Sequence, residues 1–177
     1  MKPIIIINTF KTVLFEKNKK PIVICDIDHT FLRPKFDYSF YYEQLKSEYS
    51  DKKELEQMAL NIFNTCLSVG LIKQTDEEGF NLMLDKINSL NGKLIFLTAR
   101  GSLSHDKTIK DLEKVGLKDL EQYEIHYTCN EISKGDYIYK HHLLEGYNQH
   151  IFIDDYPHFL ESAARIFPDM NCYLFKY

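Results

Sequence analysis

The chain predicts an α/β fold in three layers, a doubly wound parallel sheet between two layers of helices. Two observations carry that expectation. Six short apolar runs each break off at polar residues, and segments with helical caps and periodicity lie between them. The runs are continuously hydrophobic rather than alternating, which is the pattern of strands buried on both faces. Strands alternating with helices then select the α/β class.

The first run is "PIIII" (3–7); the stretch after it, through Asn18, reads as a short helix capped by Asn8 or Thr9. "PIVICD" (21–26) is the first main strand, and "KLIFLT" (93–98), "EIHYT" (124–128), "HIFIDD" (150–155) and "CYLFKY" (172–177) come after it. "TDEEGFNLMLDKINSL" (75–90) is a helix with Thr75 as its cap, acids in its first turn and Asn91-Gly92 as its stop. "SHDKTIKDLEKVG" (104–116) repeats that grammar from Ser104 to Gly116, and "SKGDYIYKHHLLEG" (133–146) and "YPHFLESAARIFP" (156–168) supply two more helices. One interval breaks the rhythm. Residues 31–92 exceed what one crossover needs, and "DYSFYYEQLKSEY" with "KKELEQMALNIFNTCLSVG" reads as a two-helix cap insertion within residues 33–74. An insertion there sits over the C-terminal end of the first main strand.

With 177 residues, 44% of them hydrophobic and 14% aromatic, the chain fits one domain, 1–177, with a real core. A net charge of −4 offers no bulk attraction for nucleic acid or an anionic membrane, so nucleic acid is disfavoured as a partner. The four cysteines (Cys25, Cys66, Cys129 and Cys172) have no zinc or disulfide spacing and read as free thiols. No stretch approaches the roughly 20 apolar residues of a membrane span. The opening isoleucines lack the length and cleavage site of a signal peptide, so the expected location is cytoplasmic.

The polar residues that end the runs are the informative ones: Asp26 and Asp28, then Thr98, then Asp154 and Asp155. In an open parallel sheet ligands bind at the carboxyl ends of the strands, so a parallel arrangement gathers all five at one edge. Carboxylates crowded there repel one another, and a hard divalent cation is the usual remedy. Mg²⁺ takes oxygen ligands, keeps several waters and commonly binds carboxylates together with substrate phosphate. Asp26 and Asp154, with a backbone carbonyl and water, suit it.

These residues also carry a resemblance. "IVICDIDHTFL" resembles the first motif of the haloacid dehalogenase (HAD) superfamily, a hydrophobic strand followed by DxDxT. "LIFLTAR", "SKGDYI" and "IFIDD" are similar to its second, third and fourth motifs, in the same order and strand context. The wording "LTAR" and "SKG" is similar to a little-characterised branch of phosphatases in that superfamily. The resemblance implies a HAD-like Rossmannoid fold and a Mg²⁺-dependent phosphohydrolase that cleaves a phosphomonoester through an aspartyl-phosphate.

It implies Asp26 as nucleophile and Asp28 as general acid and then base, with the Asp28 backbone carbonyl on the metal. Thr98 and Lys134 would hold the phosphoryl oxygens, and Asp154 would be the second metal carboxylate. Asp155 would bond a metal-bound water or position Lys134, so the metal set is Asp26, Asp28, Asp154 and Asp155. Lys140, six residues on in the same helix, competes with Lys134. Thr30 is expected to brace the loop through its hydroxyl. Arg100 either meets the distal part of the substrate or caps the sheet edge, and His29 points away from the acids. The aromatic stretch 36–42 is either a lid or core. The substrate is a phosphorylated small molecule or phosphoprotein. Two other readings stand beside hydrolysis: a phosphotransferase or mutase that uses the same phospho-Asp, and a non-catalytic HAD-like binding module.

Overall fold

A computed structural model describes residues 1–177. In chain order the elements begin with β1 (Ile5–Ile7), β2 (Pro21–Cys25), β3 (Leu32–Pro34), α1 (Tyr38–Leu45), α2 (Lys52–Ser68), β4 (Ile72–Gln74) and α3 (Glu77–Ser89). They continue with β5 (Lys93–Thr98), α4 (His105–Lys114), β6 (Glu124–Tyr127), α5 (Lys134–Lys140), β7 (Gln149–Asp154), α6 (Pro157–Ile166) and β8 (Asn171–Phe175). Six strands form one sheet in the order β1-β8-β7-β2-β5-β6, every pair parallel.

The chain leaves β2 toward β5 and β6, then returns to the other side of β2 for β7 and β8. Strand order therefore reverses at β2, and the crevice beyond its C-terminal end is where this architecture binds ligands. For the inner strands the continuous apolar runs are explained by packing on both faces; the edge strand β1, expected to be buried likewise, leaves Ile5 and Ile6 exposed, because nothing pairs beyond it. Val23 and Cys25 point into a core built with Phe80, Met83 and Ile87 of α3 and Leu112 of α4. Ile22 and Ile24 point the other way, into a core with Ile138 of α5 and Leu160, Ala163 and Ala164 of α6. No helix is long and apolar enough to cross a membrane.

The structure adds to the expected elements and corrects some. Thr9 does cap the first turn, a 3₁₀ turn at Phe10–Thr12, by accepting from Lys11 N. The cap of α3 is Asp76, not Thr75. Its Oδ1 accepts from Gly79 N at 3.0 Å, while Oδ2 accepts from Thr9 Oγ1 at 2.6 Å and Phe10 N at 2.8 Å. One carboxylate thus ends a helix and anchors the N-terminal segment, because both ends present unpaired donors. Thr75 instead donates its hydroxyl to Thr30 O at 2.5 Å. The helix expected over 133–146 stops at Lys140, and the chain turns through His142 and Gly146 at positive φ. The two insertion helices are joined to the body by an unforeseen antiparallel ribbon, β3 on β4, with Leu32 opposite Gln74. The aromatics of 36–42 are not core: α1 buries no residue, and the rings of this stretch pack on one another and on Phe63 of α2.

The contact between α5 and α6 depends on one glycine. A Cβ at Gly135 would lie 2.5 Å from the Ser162 backbone, so α5 can lie against α6 only with glycine there. Gly135→Ala should force the helices apart and destabilise by about 1–3 kcal/mol, seen as a lowered Tm. Gly101→Ala, where nothing lies within 4 Å, should change stability by less than about 0.5 kcal/mol. Equal Tm values for the two variants would refute the close-packing argument.

Candidate active site

Asp26 comes directly after β2, and its N–H continues the ladder to Ile153 O at 2.9 Å. Its side chain therefore emerges between β2 and β7, next to Asp154, the last residue of β7. The chain then wraps tightly: Phe31 N and Leu32 N both donate to Ile27 O, and His29 adopts φ 62°. Asp28 is lifted out of that wrap with its side chain 46% exposed. Across the switch point, Ser133 caps α5 by accepting from Asp136 N at 3.1 Å. The cap aims the first helical residue, Lys134, inward.

Lys134 is fully buried, and its Nζ donates to Asp26 Oδ1 at 2.5 Å and to Asp154 Oδ2 at 2.7 Å. Its ammonium also lies 4.7 Å from the centre of the Phe159 ring. A buried ammonium is tolerable only when paired, and here two carboxylates hold it above its ordinary pKa although burial opposes the charge. Lys140 is exposed at the far end of α5, so geometry separates the two lysines. Asp155 is not a partner of Lys134, contrary to one of its two expected roles.

The acids are not balanced by one lysine. Carboxylate oxygens of Asp26, Asp154 and Asp155 lie within 4.8 Å of one another. Burial, and then the charge of Asp26, push Asp154 up to about 8. Burial raises Asp26 and Asp155 as well. An all-oxygen group with surplus negative charge fits a hard divalent cation. Asp154 Oδ1 is further braced by Tyr156 N at 2.8 Å.

Thr98 ends β5 and is buried, its hydroxyl accepting from Arg100 N at 3.2 Å. Asp28 does not join the acid group. Its two oxygens are gripped by Arg100, from Nε at 2.8 Å and Nη2 at 2.7 Å. Arg100 in turn bonds Thr108 Oγ1 at 3.1 Å and Asp111 Oδ2 at 3.0 Å, and Lys107 Nζ reaches Asp111 at 2.8 Å. Sequence reasoning missed this chain of charges. Its signal was the helical spacing of Thr108 and Asp111, polar residues beside the core residue Leu112, with Lys107 four residues before Asp111.

Two smaller expectations need correction. The Thr30 hydroxyl is buried without a hydrogen-bond partner, so it braces nothing; the Thr30 carbonyl takes that part by accepting from Thr75. His29 does turn away from the acids, but to the surface, where it stacks on Tyr177 and shares a hydrogen bond of 2.8 Å with its hydroxyl.

Comparison with known proteins agrees with this fold. A solved structure from Thermotoga maritima, titled a "putative beta-phosphoglucomutase", superposes with a TM-score of 0.52 at 13% identity, covering 83% of this chain and 81% of that one. A class C acid phosphatase from Bacillus anthracis, solved with tungstate bound, gives 0.50 at 16% identity over 89% of this chain and 66% of that one. At such identities the likeness is one of fold. No curated protein matches the chain. The family model for the HAD superfamily, subfamily IIIB (Acid phosphatase), matches residues 4–149. The chain belongs to that family and is a phosphatase of the HAD type.

Proposed function

We propose that this phosphatase is a Mg²⁺-dependent hydrolase of phosphomonoesters, acting on a phosphorylated small molecule through a covalent phosphate on Asp26. The observation that supports it most is the junction of Asp26, Asp154 and Lys134 at the strand-order reversal, with Asp155 alongside. Asp26, Asp154 and Asp155 would hold the cation, with the Asp28 backbone carbonyl. When bound it would neutralise phosphate charge that otherwise repels an attacking carboxylate.

The side chains divide the remaining work. Lys134 fixes Asp26 by one oxygen and leaves the other for in-line attack on phosphorus. Two of its three N–H bonds serve the acids, so the third is available to a phosphoryl oxygen. The Thr98 oxygen already accepts from Arg100 N, which leaves its own proton for a second phosphoryl oxygen. As the ester bond breaks, Asp28 gives a proton to the departing oxygen. It then takes one from the water that cleaves the acyl phosphate, which returns Asp26 and releases phosphate. Asp28 can do this only with an oxygen freed from the Arg100 fork, so the leaving group competes with Arg100 for Asp28.

Asp26→Asn should lower kcat on p-nitrophenyl phosphate with Mg²⁺ by at least about 10³-fold, and Asp28→Asn by about 10²–10⁴-fold. Turnover that survives Asp26→Asn would refute the nucleophile assignment. Phosphorylated product after adding an acceptor alcohol would mark a phosphotransferase instead.

A second prediction concerns pH. Without a cation the folded chain keeps a proton on Asp154 up to about pH 8, whereas the unfolded chain loses it near the ordinary value of 3.8. The folded state thus binds more protons across that window, and its stability falls as pH rises through it. In EDTA the Tm should drop between about pH 5 and pH 8. Millimolar Mg²⁺ should raise it more at pH 8 than at pH 5. A Tm unaffected by Mg²⁺ at pH 8 would remove the cation from the site.

A further inference from the structure

We infer that a cavity beside Asp28 receives the leaving group, and that its lining favours small polyhydroxylated alkyl phosphates over nucleoside monophosphates. The inference rests on the role of Asp28 proposed above. A general acid must lie within hydrogen-bond reach of the oxygen that it protonates, so whatever is attached to that oxygen occupies the space that Asp28 lines. That space is a cavity of about 340 Å³ bounded by the end of α2 on one side and by Arg100 and α4 on the other.

Its size and chemistry narrow the occupant. Ligand sites span roughly 300–1,000 Å³, and this one stands near the lower bound, suited to one small ring or short chain. Its charged wall is Asp28, Arg100, Lys107 and Asp111, two anions and two cations already paired with each other. It therefore carries no surplus cation for a second phosphate. Ser68, whose hydroxyl donates to Thr65 O at 2.7 Å and keeps its lone pairs free to accept, and Ser104 complete a polar lining. A ligand with several hydroxyls, each both donor and acceptor, matches that surface. No aromatic side chain lines the cavity, the only apolar residues being Leu67 and Ile72. A purine or pyrimidine would find no ring to stack on.

The test compares two primary alkyl phosphates with leaving groups of similar chemistry, glucose 6-phosphate and adenosine 5′-monophosphate, in the full chain with Mg²⁺. The ratio of their kcat/KM values should favour the sugar phosphate by about tenfold or more. Ser68→Phe, which fills the cavity from the α2 side, should lower that ratio by about tenfold. The ratio is independent of the fraction of folded enzyme, so a partly unfolded variant still reports. Equal or better turnover of the nucleotide overturns the inference, as does a ratio that Ser68→Phe leaves unmoved. The Asp26→Asn chain separates the two levels. If it abolishes turnover while the nucleotide is preferred, only the cavity assignment falls. If it retains turnover, the proposed mechanism falls and the inference with it; if the wild-type chain turns over p-nitrophenyl phosphate but neither ester, the inference falls alone.

Discussion

A lysine ammonium without solvent contact, held between carboxylates from two neighbouring strands, is the constraint on which the rest of this molecule depends. Lys134 cannot be left alone in that position, since an unpaired buried charge is among the costliest features a fold can carry. Nor can Asp26 and Asp154 be left without it, because burial, and for Asp154 the charge of Asp26, already push them toward the protonated form. The three side chains are stable only together. Their sum, with Asp155 added, is still negative. That residue of charge is what a bound cation would neutralise, and it sets the place apart from a closed structural ion pair.

The scaffold around the triad explains how it is held. The hydrogen-bond ladder of β2 runs on through Asp26 into β7, so the spacing between the two acids is set by the sheet and not by a loop. Lys134 arrives from the opposite layer because Ser133 caps α5 and Gly135 lets that helix lie on α6, where its N–H also bonds Ser162 Oγ at 3.1 Å. Three consecutive residues thus cap the helix, supply the charge and allow the contact. The insertion is joined more loosely. Its ribbon β3–β4 returns the chain beside the flap that carries Asp28, and Thr75 ties that return to the Thr30 carbonyl.

Asp26 and Asp28 are two residues apart yet have opposite surroundings. Asp26 is buried among charges that fix it, as would suit the attacking group of the proposed mechanism. Asp28 stands half exposed in the fork of Arg100, at the edge of a polar cavity shared with the insertion. The division arises from the wrap at His29, whose positive φ turns the chain out of the strand direction right after Asp28.

The sequence by itself determined the class of fold, the order of its layers and the acids of the site. Burial on both faces leaves continuous apolar runs, and such runs end where strands end, so Asp26, Thr98 and Asp154 were legible as edge residues. Their motifs also carried the family. Tertiary structure alone decided which groups pair. Nothing local showed that Arg100 would grip Asp28, that Asp111 and Lys107 of α4 would continue that chain, or that Asp76 would displace Thr75 as a cap by serving two segments at once. The ribbon β3–β4 was hidden for the same reason, being two three-residue pieces separated by a whole insertion. Hydrophobic periodicity reports which side of an element is buried. It carries no information about which charged groups from distant parts of the chain will meet there, and electrostatic pairing at that range is fixed only when the sheet closes.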